Sequence, residues 1–159
     1  MSLFSKKKQQ IIVAAQSGTA VDITEVPDPV FAQKILGDGI AIIPDRNEVV
    51  SPCDGTIVQI ADTRHALGIE SDDGLEILVH LGIDTVKLAG EGFTCFVKVG
   101  QHVKTGDKLM EMDLELIKSK NLNLISPCII TNMDDVEKLK LFAGATTAGE
   151  TTVMSYQKS

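Results

Sequence analysis

Two histidines and a hydroxyl stand where they can do chemistry together. His80 lies in Leu75-Glu-Ile-Leu-Val-His80-Leu-Gly82-Ile-Asp84, and His65 lies in Thr63-Arg-His65-Ala-Leu-Gly-Ile. A neutral imidazole, with an unperturbed pKa of about 6.5, offers a free lone pair at neutral pH and so can act as nucleophile, metal ligand or general base. A facing pair suits phosphoryl transfer through a phosphohistidine: one ring takes the phosphoryl group, the second hydrogen-bonds its oxygens, and a hydroxyl such as Thr63 fixes the second ring's tautomer. It equally suits zinc, with His65, His80 and Asp84 as ligands, or acid–base catalysis on a small substrate.

The local sequence says how the rings are brought together. Leu75, Ile77, Val79, Leu81 and Ile83 take the odd positions, which a strand directs to one side, while Glu76, Leu78, His80, Gly82 and Asp84 take the other. His80 therefore leaves the more apolar face. Glu70-Ser-Asp-Asp-Gly74 reads as a turn, so the strands on either side pair as a hairpin and carry both imidazoles to one end. The remaining histidine, His102, sits in a polar hairpin with no partner nearby in sequence and reads as a satisfied structural residue.

Composition sets the frame. In 159 residues, 43% are apolar and only 4% aromatic, without tryptophan, which points to one domain with a core of Val, Ile and Leu and mainly β-structure. A formal charge of −7 argues against nucleic acid as a partner and for a basic protein. The cysteines, Cys53, Cys95 and Cys128, are an odd number without a CxxC spacing, so no disulfide framework is expected and the chain reads as cytoplasmic. Residues 1–10 read as a flexible polar leader and 11–159 as a single domain; no apolar run is long enough for stable membrane insertion.

Further along, Gln16–Ile23 echoes Cys53–Ile60, and Val49–Cys53 echoes Leu124–Cys128 through a shared Ser-Pro-Cys, which suggests a duplicated β-motif. Asp28, Pro29 and Gly37 punctuate a short helix as cap, first position and stop. Residues 101–112 read as a hairpin turned at Thr105-Gly106-Asp107, 113–120 and 132–141 as capped helices, and 151–156 as a closing strand.

With these motifs in order, Gly37-Asp-Gly-Ile-Ala-Ile, Pro52-Cys-Asp-Gly-Thr-Ile, His65-Ala-Leu-Gly-Ile-Glu-Ser-Asp-Asp-Gly, Val79-His-Leu-Gly-Ile-Asp-Thr-Val, Gly90-Glu-Gly-Phe and Val103-Lys-Thr-Gly-Asp, the chain resembles the glucose-type enzyme IIA domains of the bacterial phosphoenolpyruvate-dependent sugar phosphotransferase system. The resemblance runs from about Ile12 to Val153. It implies an all-β, mainly antiparallel β-sandwich or barrel-sandwich hybrid with a duplicated motif and a few short helices. It also implies a phosphocarrier that takes a phosphoryl group from phospho-HPr and passes it to a cysteine of a sugar-specific IIB domain, with regulatory proteins as further partners. Residue by residue, His80 matches the histidine phosphorylated at Nε2, His65 the accessory histidine, and Thr63 the hydroxyl that orients it. Asp28 and Asp84 match the acidic residues that meet a donor arginine, and Phe31 falls in the surrounding apolar patch. No cofactor is expected; zinc on His65 and His80 would need a carboxylate from a partner.

Two other classes fit less of the chain. A lysostaphin-like zinc peptidase shares the H-x-G-x-D element of His80–Asp84 but needs an H-x-H downstream, where only His102 remains. A lipoyl or biotinyl carrier needs a lysine at a hairpin tip between methionines or similar residues, and Met-Lys-Met does not occur.

Overall fold

The computed structural model describes residues 8–159. The expected leader, residues 1–10, falls mostly outside them, and order is already present at Gln10, the first residue of a strand. In chain order the elements begin with β1 (Gln10–Val13), β2 (Gly18–Asp22), α1 (Pro29–Ala32), β3 (Asp38–Pro44) and β4 (Glu48–Val50). Then follow β5 (Gly55–Ile60), β6 (Ala66–Ser71), β7 (Glu76–His80), β8 (Phe93–Cys95), β9 (His102–Val103) and β10 (Lys108–Met112). The chain closes with α2 (Leu114–Ser119), β11 (Ser126–Ile130), β12 (Val136–Leu141), β13 (Gly144–Thr146) and β14 (Thr152–Lys158).

An eight-stranded sheet in the order β13-β2-β3-β11-β7-β6-β5-β9 carries the site, and two three-stranded sheets, β1-β14-β12 and β4-β10-β8, complete the fold. Every pairing is antiparallel. The main core gathers on one face of the large sheet, with Ile40, Ile42, Ile77, Val79, Cys128 and Ile130 alternating inward. The residues between them face a second, smaller cluster of Ile23, Val26, Phe31, Ala41, Ile83, Ile125 and Ile129, against which Leu78 packs. A strand with apolar residues on both faces is how a central strand reads, and β3 and β11 lie at the middle of the order. Gly39 is required where they meet, because a Cβ there would stand 2.2 Å from the Cys128 carbonyl oxygen.

Several expectations hold. β6 and β7 pair as the expected hairpin, with Glu70 opposite Glu76 and Ala66 opposite His80. The closing strand is β14, and Asp113 caps α2 by accepting from the Leu116 amide at 3.1 Å. The echo of Gln16–Ile23 and Cys53–Ile60 is structural, since both contain strands that open on a glycine, β2 and β5. The Ser-Pro-Cys echo is not: Ser51–Cys53 is loop and Ser126–Cys128 is strand. Burial pushes both the Cys53 and Cys128 thiols up to about 12, so these cysteines stay protonated and inert.

Three expectations are corrected. Residues 132–141 are not a helix: after a single 3-10 turn at Met133–Asp135 they form β12, which pairs with β14 around a bulge at Lys138. The β14 edge offers a row of hydrogen bonds that outweighs the weak preference of so short a segment. The helix that Asp28 caps ends at Ala32 rather than Gly37; Lys34 takes the left-handed conformation, and Gly37 instead lies against the Ile130 carbonyl. Finally, the chain does turn at Thr105–Asp107, but its flanks part: β9 joins β5, whereas β10 runs between β4 and β8.

Candidate functional site

His80 is the last residue of β7, and its orientation follows from the strand's alternation. Val79 and Leu81, each at most 1% exposed, lock into the main core, which turns His80 to the face of the smaller cluster. The register that sets Ala66 opposite His80 brings His65 to the same end, where its carbonyl accepts from the Leu81 amide at 2.7 Å. The two imidazole centroids lie 5.1 Å apart with the rings at 80°.

Immediately after β7 the chain turns back at Gly82, with φ of 74°. A Cβ there would come within 2.7 Å of Thr85 Cγ2 and 2.9 Å of the Asn123 carbonyl oxygen, so only glycine fits. The turn aims the Gly82 carbonyl at His80, whose Nδ1 lies 2.7 Å away. A carbonyl can only accept, so Nδ1 carries the proton and the neutral ring keeps its lone pair on Nε2. Sequence reasoning placed Gly82 on the same side of the strand as His80 and missed its carbonyl. The H-x-G spacing was the available signal.

His65 is held by a tight turn in which Arg64 is left-handed at φ of 56° and its amide bonds back to the Ala61 carbonyl at 2.7 Å. Thr63 Oγ1 meets His65 Nδ1 at 2.5 Å, the contact the sequence suggested. Phe31 comes from α1, where Asp28 accepts from the Val30 amide at 3.0 Å and Pro29 begins the helix. Such a cap contributes about 1 kcal/mol. The Phe31 ring is 4% exposed and lies 5.0 Å from the His80 ring, tilted at 57°. Asp84 is left-handed at φ of 62°; it precedes the Thr85–Leu88 3-10 turn without capping it, so its exposed carboxylate is spared for other partners. All six expected residues thus gather at one end of the β6–β7 hairpin and the adjoining turns.

Burial is the main influence on His80 and lowers its pKa. The His65 ring adds to this, while the Gly82 carbonyl, Asp28 and Asp84 oppose it without reversing it. His65 is lowered by burial alone. Both rings are therefore neutral at pH 7. An NMR titration should find both midpoints below the usual 6.5; a midpoint above it for either ring would contradict the geometry. The stability they contribute is full above pH 6.5, the unfolded value, and is lost as pH falls from there through the lower folded values, because only the unfolded chain then takes up the proton.

The surface around the rings is shallow. The hollow lined by Gln59, Ala61, Ala66, Leu67, Gly68 and Leu78, next along the hairpin, has a volume of about 60 Å³, and neither ring lines it. Val30, Ile35, Leu36 and Val86 stand exposed on α1 and the neighbouring turns. Exposed apolar side chains and carboxylates near a shallow pair of rings suit a protein partner better than a small molecule. Among the described residues no group of three or more His, Cys, Asp and Glu side chains is placed to hold a metal ion. No described helix is long and apolar enough to cross a membrane.

Comparison with known proteins identifies the chain's relatives. Residues 10–136 match the family model for the phosphoenolpyruvate-dependent sugar phosphotransferase system, EIIA 1. The chain is 52% identical to the "PTS system glucose-specific EIIA component" of Bacillus anthracis, over 96% of this chain and 93% of that protein. It is 45% identical to the component of the same name in Haemophilus influenzae, over 97% of this chain and 93% of that protein. Among solved structures it is similar to the glucose permease IIA from Mycoplasma capricolum, with a TM-score of 0.88 and 38% identity, covering 98% of this chain and 99% of that one.

Proposed function

Because the chain belongs to the EIIA 1 family of the phosphoenolpyruvate-dependent sugar phosphotransferase system, and is thereby a phosphotransferase component of that system, we propose that His80 is the residue that carries the phosphoryl group. The observation that carries this reading is the hydrogen bond from His80 Nδ1 to the Gly82 carbonyl, which leaves a lone pair on Nε2 beside a second neutral imidazole.

In the proposed cycle the donor is phospho-HPr. His80 Nε2 attacks its phosphorus; the bond to the donor imidazole breaks as the bond to Nε2 forms, the donor ring leaves with the electron pair, and His80 Nδ1 keeps its proton on the Gly82 carbonyl. With the Thr63 hydroxyl donating to Nδ1, His65 holds its proton on Nε2 and offers it to a phosphoryl oxygen, where negative charge gathers. A cysteine thiolate of a sugar-specific IIB domain then attacks the same phosphorus, and His80 Nε2 recovers its lone pair. Asp28 and Asp84 are suited to meet an arginine of the donor, and Phe31 to pack the ring whose nitrogen reacts. This reading puts the reaction in the cytoplasm and needs no cofactor; zinc would require a carboxylate supplied by a partner.

A regulatory role is favoured by the exposed Val30, Ile35, Leu36 and Val86. A phosphoryl dianion on His80 would set charge beside that apolar surface and release a partner that binds it uncharged.

The test is incubation of the purified chain with phosphoenolpyruvate, enzyme I and HPr, followed by mass measurement and then by addition of a IIB domain. The expected result is a single acid-labile phosphoryl group that leaves on IIB addition. An unmodified protein that instead holds zinc tightly would sink the reading.

A further inference from the structure

The Gly82 carbonyl sets the His80 tautomer, and Gly82 is itself held from behind by residues 122–126. The peptide that joins Gly82 to Ile83 offers its carbonyl to His80 and its N–H to the Asn123 carbonyl, at 3.0 Å. The peptide before it donates the Gly82 N–H to Ser126 Oγ at 3.1 Å. Ser126 Oγ in turn donates to the Leu124 carbonyl at 2.9 Å, with Met112 Sδ a more distant alternative at 3.9 Å. Two side chains hold that preceding peptide: Thr85 Oγ1 donates to its Leu81 carbonyl at 2.6 Å, and Ser126 alone accepts from its N–H. At 2% exposure Ser126 sits at the start of β11, out of reach of solvent.

Resting on the phosphocarrier reading above, we propose that Ser126 is a positioning residue for phosphoryl transfer: by anchoring the Gly82 amide it keeps the Gly82 carbonyl on His80 Nδ1 and so keeps the reactive nitrogen free of a proton. Glycine has the backbone freedom to swing once the anchor is gone. Without the anchor, the Gly82 amide lacks its acceptor in a place water does not reach, and the turn gains from any rearrangement that pairs it. The carbonyl then leaves Nδ1, and the neutral ring distributes its proton between both nitrogens. A ring protonated on Nε2 has no lone pair there with which to attack.

The experiment compares wild type with Ser126→Ala, Ser126→Thr and Ser126→Cys, and with Ser51→Ala as a control. Ser51 is equally buried and its hydroxyl donates to the Cys53 carbonyl at 2.6 Å, in a loop that joins β4 to β5. Ring ¹⁵N shifts of His80, recorded above its titration midpoint, report the tautomer, and stopped-time labelling reports the rate of phosphoryl acceptance from phospho-HPr. Wild type should show the Nδ1–H form. Ser126→Ala should show a mixture and a rate lower by about tenfold, the size usual for loss of an outer orienting contact. Threonine restores both, cysteine falls between and stands in if the alanine variant does not fold, and Ser51→Ala lowers the melting temperature while moving neither. A wild-type tautomer and rate in Ser126→Ala, or an equal tautomer shift in Ser51→Ala, would overturn the proposal. Because the tautomer is read on unphosphorylated protein, failure of wild type to accept phosphate counts against the carrier reading and leaves this result standing.

Discussion

Replacing His80 with alanine should abolish phosphoryl acceptance altogether, leaving a folded protein with no acid-labile phosphate after exposure to the full donor chain. Nothing nearby can substitute. His65 Nδ1 is engaged by Thr63, and on the proposed tautomer its Nε2 bears a proton. His102 is on β9, where its Nε2 pairs with Asp72 at 2.9 Å. The fold should tolerate the change, because His80 is half-buried at the end of its strand and Val79 and Leu81 keep the register. The lost contact with Phe31 should lower stability by about 1 kcal/mol. The measurement is intact mass alongside a melting curve. A His80→Ala protein that still gains one phosphoryl group would move the acceptor elsewhere and undo the mechanism.

The second large effect is expected at His65, and it differs in kind. His65→Ala should still become fully phosphorylated when phosphoenolpyruvate keeps regenerating the donor, since a slow step driven by a replenished reactant still runs to completion. Onward transfer to IIB, measured as a rate, should fall by about 10²–10³, the usual consequence of removing one preorganised donor from a developing anion. His65→Gln should recover part of the loss, because its amide N–H can reach toward the same oxygens. Thr63 gives a graded check on the same idea: its hydroxyl only orients the ring, through the contact to Nδ1. Rapid quench of the phosphorylated variants with IIB separates the cases. A His65→Ala protein that transfers at the wild-type rate would reduce His65 to a packing residue.

The hairpin that unites the histidines was legible because two local signals agree there: period-two alternation through Leu75–Ile83 and a turn at Glu70–Gly74 that fixes the register. Asp28 and Pro29 were legible as a helix start for the same reason, a local cap beside a residue with preset φ. What escaped depends on partners distant in sequence. β12 carries Val136, Leu139 and Leu141 at spacings that a short helix or a bulged strand satisfies equally, and only the neighbouring edge of β14 decides between them. The support of Gly82 by Asn123 and Ser126 joins segments that no local pattern connects. The nucleophile proposed for the site could thus be read from the chain, whereas the backbone that chooses its tautomer could not.

The pairing of Gln10 with Tyr156 bears on how such a carrier can be wired to other modules. Tyr156 donates to Asp73 at 2.7 Å, so this pair lies by the turn of the β6–β7 hairpin, and the histidines are at its opposite end, roughly 15–20 Å away at about 3.3 Å per residue. The first and last strands of the described chain therefore exit side by side, away from the two imidazoles. A tether attached at either end leaves the phosphoryl face uncovered, and a circular permutant that joins the two ends and opens an exposed loop elsewhere keeps the site whole. The geometry makes the carrier a module that can be hung from a larger assembly by one side while its working side turns from donor to acceptor.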